Sequence, residues 1–276
     1  MKKMIPGLLV LLIAALPALS QKTGKATPLK KVMELKMPKT ADDDAAGTRG
    51  ASVAWHPVQK KYYAVFAGNA AYPLAVFDAR GKRISDMEQA ALIDTRGIWY
   101  NPATKLVTGN AYNDFGWFTY KLDKSGIPTE YTSVMEGQNQ PDAQCVGAYN
   151  TAAKRVLFLK GSMVYSYNAD GMPVDSTLIH FGRAKTDGPA DIENPDVTPE
   201  DYNYTTLVYT GIKGQELGFL NTTNKEIELY DAKTGYRTKI LSLPLNAMAE
   251  QSFNFAYANG IYWLFNMEKR TWNGYK

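Results

Sequence analysis

Apolar residues in this chain fall into short runs, alternating or continuous, separated by Gly, Pro, Asn and Asp. Runs of about four to eight residues with a period of two fit β-strands. No stretch carries the 3.6-residue stripe of an amphipathic helix long enough for an α/β fold. The pattern therefore predicts an all-β protein.

The runs also repeat. Thr48 to Ile84 aligns with Thr95 to Pro128: each begins Thr-Arg-Gly, enters a strand ending in x-Pro, turns at a Lys, and reaches Gly-Asn-Ala before a third strand that closes at Asp and Gly. Later copies begin at "CVGAYN", "TTLVYT" and "FNFAYA". In the second copy the strands are expected at 97–100, 105–110, 116–122 and 129–135. Four short strands per unit, repeating roughly every 45 to 60 residues, fit the blade of a β-propeller. The turns between runs are too short for parallel crossovers, so the blades are expected to be antiparallel.

Five blades are expected, starting near residues 50, 97, 145, 204 and 252 of one domain spanning 21–276. A six-bladed ring is the alternative, with an irregular blade around Gly182–Tyr204. That segment is rich in Pro, Gly and acids and is read as a loop. The last copy ends after its third strand, whereas 30–38, "KKVMELKMP", is an alternating strand lying before the first copy. Pairing it as the outer strand of the last blade closes the ring and covers an exposed edge. The outer turns share one chemistry, at Asp78–Gly81, Asp123–Gly126, Asn168–Gly171 and Asp231–Gly235. The Asp or Asn bonds its own backbone, and the Gly supplies a positive φ.

On these repeats, above all "LYDAKTGYRTKILSLP" and the shorter "VFDARGKRISDM", the chain resembles the secreted propellers grouped as YVTN, TolB-like or quinoprotein-like repeat proteins. The resemblance covers nearly all of the chain after residue 20. It implies a fold and no particular activity, because the motif is a structural turn.

Composition agrees with this picture and narrows the chemistry. Eighteen Tyr, ten Phe and five Trp suit strands. Residues 1–20 have the layout of a secretory signal peptide: Lys2 and Lys3, an apolar run from Gly7 to Leu16, and Ala18-Leu19-Ser20. They predict export to the periplasm or beyond, with no stable membrane anchor after cleavage. Loss of the two lysines lowers the formal charge from +4 to +2. So balanced a chain gives no reason to expect nucleic acid as a partner, and a monomer is expected. One Cys, Cys145, and two His, His56 and His180, leave no Cys- or His-rich metal site, and no metal or cofactor is expected. Cys145 reads as a small buried hydrophobe.

Candidate chemistry lies on the loops from one blade's outer strand to the next blade's inner strand, and on those joining second and third strands, which share a face. Arg49 and Arg96, from the repeated Thr-Arg-Gly, are expected at equivalent positions of adjacent blades. There they could hold a carboxylate, phosphate or sulfate, or instead pair with Asp44 and Asp94. Tyr72, Tyr112, Phe115 and Trp117 are candidate stacking surfaces, although Trp117 begins a strand and is equally expected to pack between blades. Asp94, Asp114, Asp142, Asp201 and Glu250 are carboxylates that a ring could converge for glycoside hydrolysis. The acids Asp187, Asp191, Glu193 and Asp196 lack the spacing of a calcium loop. Asn203 and Asn221 begin formal glycosylation sequons. The expected function is an exported, non-catalytic binding module that recognises a protein or glycan through this loop face. The alternative is a glycan hydrolase using the five acids.

Overall fold

The computed structural model describes residues 26–38, 49–67, 74–86, 93–188 and 194–276. It begins with two strands, β1 (Thr27–Pro28) and β2 (Lys31–Lys36). The first blade is β3 (Arg49–His56), β4 (Lys61–Ala67) and β5 (Ala75–Asp78). The second is β6 (Thr95–Asn101), β7 (Leu106–Ala111), β8 (Trp117–Leu122) and β9 (Pro128–Met135). The third is β10 (Ala148–Asn150), β11 (Arg155–Lys160), β12 (Met163–Tyr167) and β13 (Pro173–Leu178). The fourth is β14 (Val208–Tyr209), β15 (Leu217–Asn221), β16 (Glu226–Tyr230) and β17 (Arg237–Ser242). The fifth is β18 (Phe255–Ala258), β19 (Ile261–Asn266) and β20 (Thr271–Tyr275), completed by β2.

This is a five-bladed β-propeller of antiparallel blades; among the described residues four have at least four strands and one has three. In the three-stranded blade the outer edge is met by a short return, where Ile84 N–H donates to the Val76 carbonyl at 2.8 Å. The four outer turns follow the expected chemistry. Asp231 Oδ1 accepts from the N–H groups of Lys233 and Thr234, and Gly235 has φ 68°. Asp78, Asp123 and Asn168 accept in the same way.

Closure occurs at two blades rather than one. β2 pairs antiparallel with β20, from Lys36 opposite Thr271 to Lys31 opposite Tyr275. β1 adds parallel to β17 of the neighbouring blade, Thr27 opposite Leu241. Between them Lys30 and Lys276 exchange backbone hydrogen bonds of 2.9 and 3.0 Å. Leu35 is fully buried and packs with Phe77 and Trp272.

The core is divided among the blade interfaces. Trp263, Phe265 and Trp272 meet Val53, Tyr62 and Phe66 between the fifth and first blades. Tyr63 and Val65 meet Ile98, Val107 and Phe118 between the first and second. Three further clusters fill the remaining interfaces. The segment weighed as a sixth blade forms no named strand among its described residues. It packs over the third and fourth blades instead. Thr198 Oγ1 and Ser162 N–H tie it to the β11–β12 turn. Tyr202 donates to Glu228 Oε2 at 3.0 Å, and the buried Glu228 is also bonded by Tyr230 and Arg237.

His56, at the end of β3, links two blades: its Nε2 lies 2.9 Å from the Lys105 carbonyl, and Nδ1 accepts from Gln59 N–H. These partners fix a neutral tautomer. Burial lowers its pKa from the usual 6.5, and the Lys105 carbonyl only partly offsets this.

Two measurements test this account. A chain beginning at Pro38 loses β1 and β2 and should self-associate or fail to unfold cooperatively, because the β20 edge is open. A chain beginning at Lys30 loses only β1 and should stay monomeric; size exclusion with light scattering separates the two. For His56, the unfolded ring takes up a proton more readily than the folded one. Stability should thus be flat above about pH 6.5 and fall below it. Thermal melts from pH 8 to 5 should show a shallower fall for His56→Gln than for the native chain.

Candidate functional site

Counting strands outward, the loops that end at the start of each inner strand open on one mouth of the central channel. The inner strands there are held very close. A Cβ on Gly97 would lie 2.6 Å from the backbone N and O of Gly147 in the next blade, while one on Gly50 would meet the Trp272 ring, from the third strand of the fifth blade, at 2.5 Å. Only glycine fits such contacts. Three buried asparagines bridge the blades at this level. Asn110 donates to Gln140 Oε1 and the Cys145 carbonyl and accepts from Gly147 N–H. Asn203 donates to the carbonyls of Glu250 and Phe253. Asn254 Oδ1 accepts from Gly50 N–H at 2.7 Å.

Above them lies an open basin of ≈ 520 Å³, to which every blade contributes: Arg49 and Ala67, then Asp94, Arg96 and Tyr112, then Gln144, Tyr204 and Thr205, and Phe253. The two arginines meet in this basin, but not from equivalent positions. Counted from the inner hairpin, Ser52 opposite Val65 matches Gly97 opposite Asn110, and both strands then bulge. The bulged residue is Ala51 in the first blade and Arg96 in the second. Arg49 therefore matches Asp94, two residues nearer the solvent. The Thr-Arg-Gly repeat is a likeness of sequence with different structural registers, because the first inner strand runs two residues longer before its Pro.

That offset separates the roles of the two side chains. A bulge re-aims its side chain, and Arg96 is 3% exposed. It forms a bidentate pair with Asp94 at 2.5 and 3.2 Å and donates to Gln144 Oε1 at 3.0 Å. Its guanidinium carbon lies 4.6 Å from the Tyr112 ring centre and 5.4 Å from that of Phe253. Arg49 is half-buried and donates to the hydroxyl of Ser252. Among the described residues no carboxylate pairs with it. Phe253 and Asn254, beneath Arg96, both take the left-handed conformation at φ 52° and 57°. Two successive non-glycine residues there cost of order 1–3 kcal/mol each. Thr205 Oγ1, accepting from Phe253 N–H at 2.7 Å, and the two bridging asparagines hold them in place.

The other expected site residues are dispersed. Tyr112 is 40% exposed at the basin wall. Trp117 takes the second of its two expected placements: it is 2% exposed and packs on Trp99 and Phe158, because strand alternation turns it into the interface of the second and third blades. Phe115 rests on Phe118 and Tyr131. Tyr72 lies outside the described residues, as do Asp44, Asp191, Glu193 and residues 1–20. Of the five candidate acids only Asp94 lines the basin. Asp142 belongs to an adjoining recess with Asp196 and Glu200. Asp114 is exposed in a 3₁₀ turn, and Asp201 accepts from the Thr223 hydroxyl at 2.6 Å. Glu250 contributes its carbonyl to Asn203. Asp187 caps its own 3₁₀ turn. Asn203 and Asn221 are buried and bonded, so neither amide is open to glycosylation. The buried Cys145 thiol faces the Leu159 carbonyl, and burial pushes its pKa up to about 12.

The sequence pattern does not single out Gln144, Tyr204 or Phe253. Gln144 and Tyr204 directly precede the third and fourth copies and Phe253 opens the fifth, and at these places the copies share no side chain.

The chain matches no protein-family model and no curated protein sequence. It is similar in structure to the glutaminyl cyclase of Myxococcus xanthus, 8% identical with a TM-score of 0.53, over 90% of this chain and 96% of that one. It is also similar to a protein of unknown function from Bacteroides thetaiotaomicron VPI-5482, 13% identical with a TM-score of 0.44, over 83% and 59% of the two chains. A chain of a nidogen–laminin complex aligns at 10% identity and a TM-score of 0.42, over 74% and 66%. The first likeness is one of fold. Among the described residues no helix is long and apolar enough to cross a membrane.

Removal of Arg96 leaves Asp94 without its pair and a void between Tyr112 and Phe253. Arg96→Ala should cost about 2 kcal/mol or more in chemical denaturation. Arg49→Ala, which deletes a half-buried side chain with one hydroxyl partner, should change stability by less than about 1 kcal/mol.

Proposed function

We propose that this chain is an exported binding protein that recognises a protein or glycan ligand through an anionic group seated in the loop-side basin. The observation that carries this reading is the difference between the two arginines. Arg96 is consumed by Asp94 and builds the basin, whereas Arg49 faces the same space and, among the described residues, bonds only the Ser252 hydroxyl. A guanidinium with free donors is suited to a carboxylate or sulfate. Tyr112 and Tyr204, 40% and 53% exposed, offer aromatic surface beside it. Aromatic and arginine side chains are the usual anchors of a binding surface.

A binding role also suits the acids. Glycoside hydrolysis needs two carboxyl groups flanking one bond, about 5–10 Å apart. The basin contains one of the five candidates, and that one is engaged by Arg96. The layout of residues 1–20 supplies the export part of the proposal.

The test uses the chain from Gln21 and three probes: oligogalacturonate, a heparin oligosaccharide, and a peptide with a free or an amidated C-terminus. Calorimetry should show binding of at least one anionic probe, weakened by salt. Arg49→Ala should lower that affinity at least tenfold while leaving the melting temperature near the native value. Binding unchanged in Arg49→Ala, or no binding of any anionic probe, overturns the proposal.

A further inference from the structure

The opposite mouth of the channel is built differently. There the inner strands enter their hairpins, and a cavity of ≈ 300 Å³ is lined by residues of all five inner strands. Trp55, Tyr100, Tyr149, Tyr209 and Tyr257 belong to that lining. Their placement is five-fold equivalent. Trp55 lies opposite Tyr62, Tyr100 opposite Val107, Tyr149 opposite Val156 and Tyr257 opposite Tyr262, each the next-to-last pair before the hairpin turn. Tyr209 lies opposite Leu217, and Thr210 N–H then donates to the Glu216 carbonyl, which makes it next to last as well.

All five rings are half-buried. Four are held against a neighbouring ring: Trp55 on Tyr62 at 4.5 Å, Tyr100 on His56 at 4.7 Å, Tyr257 on Tyr262 at 4.8 Å, and Tyr149 stacked at 2° on Trp99, 6.3 Å away. The collar is thus arranged before any ligand arrives, which lowers the entropy cost of binding. No charged residue lines the cavity. The hydroxyls of Tyr100, Tyr149, Tyr209 and Tyr257 make no hydrogen bond to another described residue, and none belongs to the buried unpartnered atoms. Burial raises the pKa of Tyr149, Tyr209 and Tyr257, which keeps these phenols protonated and able to donate.

We propose that this aromatic collar is a second binding site, on the face away from the arginine basin, and that it takes a neutral saccharide. The chemistry matches group by group. Ring faces stack on the C–H faces of a sugar, and open phenol hydroxyls donate to and accept from its hydroxyls. Among the described residues no cationic side chain lines the cavity to hold an anion, the exposed Lys60, Lys105 and Lys154 standing on the hairpin turns outside it. A cation would find aromatic faces, but among the described residues no carboxylate lines the cavity to offset its desolvation. A wholly apolar ligand would leave four hydroxyls without partners.

The test uses the chain from Gln21 with glucose, galactose, mannose, N-acetylglucosamine, maltose, cellobiose and diacetylchitobiose, and tetramethylammonium as the cation probe. Calorimetry, and quenching of tryptophan fluorescence through Trp55, should show at least one saccharide binding at millimolar concentration or below. Tyr149→Ala should weaken it more than tenfold. Because that change also removes the ring stacked on Trp99, the decisive variants are Tyr149→Phe and Tyr209→Phe. They keep the packing and remove only a hydroxyl, and one or both should lose about two- to tenfold, the worth of one net hydrogen bond. Absence of binding by every saccharide, binding of tetramethylammonium alone, or saccharide binding untouched by both Phe variants overturns the proposal.

Discussion

Five sheets closed into one ring bring their inner strands closer than ordinary side chains allow, and much of the structure follows from that crowding. Gly97 and Gly147 face each other across a gap no Cβ would fit. So tight an axis excludes water from backbone groups that no ladder satisfies. Each such group left unbonded would cost about 1–3 kcal/mol. Asn110, Asn203 and Asn254 meet that demand by reaching from one blade to backbone groups of the next. They are short enough to fit and carry both donor and acceptor. The aromatic interfaces farther from the axis then fill wedges whose angle the glycines and asparagines have already set.

The same crowding decides what a charged residue at the loop-side mouth becomes. Arg96 stands in a bulge at the level of the bridging asparagines and is drawn under the surface, where it survives only with Asp94 on one edge and rings on its faces. Arg49 stands two residues farther out and keeps contact with solvent. Depth along a strand, more than residue type, assigns one guanidinium to the scaffold and leaves the other half-buried at the basin. The left-handed pair Phe253–Asn254 lies at the same level. Its strain is sustained because Thr205, Asn203 and Gly50 bond it from three directions.

Much of the fold was legible because strand and turn chemistry are local. The turn at Asp231–Gly235 needs nothing beyond its own residues, and the closing strand at 30–38 announced itself by alternation and by the strand missing from the last copy. The second clip, β1 on β17, was not legible, since two residues carry no period. Nor could alignment by motif reveal that Thr-Arg-Gly occurs in two registers. A two-residue difference before Pro57 and Pro102 reverses no face in a period of two, so the hydrophobic pattern reads the same either way. The signal that separates them is the distance to the turn. That same ruler picks out Trp55, Tyr100, Tyr149, Tyr209 and Tyr257, which simple inspection takes for part of a generally aromatic composition.

The two mouths of the channel differ because their chain segments are made differently. The loop-side mouth is reached by long interblade connections, which bring in Asp94, Gln144, Tyr204 and Phe253 without repeating. Such a mouth is asymmetric, and its chemistry follows whichever side chains the loops deliver. The hairpin-side mouth is lined mainly by the ends of inner strands, whose aromatic residues repeat from blade to blade although the turns beyond them differ in length. An asymmetric, charged mouth suits one oriented anionic group, whereas a repeating neutral collar suits a ligand that presents similar hydroxyls around a ring. Both are carried by strands packed at the blade interfaces, so under the two proposals neither site has to be assembled when a ligand arrives. On that reading, recognition at each mouth is set by side-chain identity at a fixed depth along the inner strands.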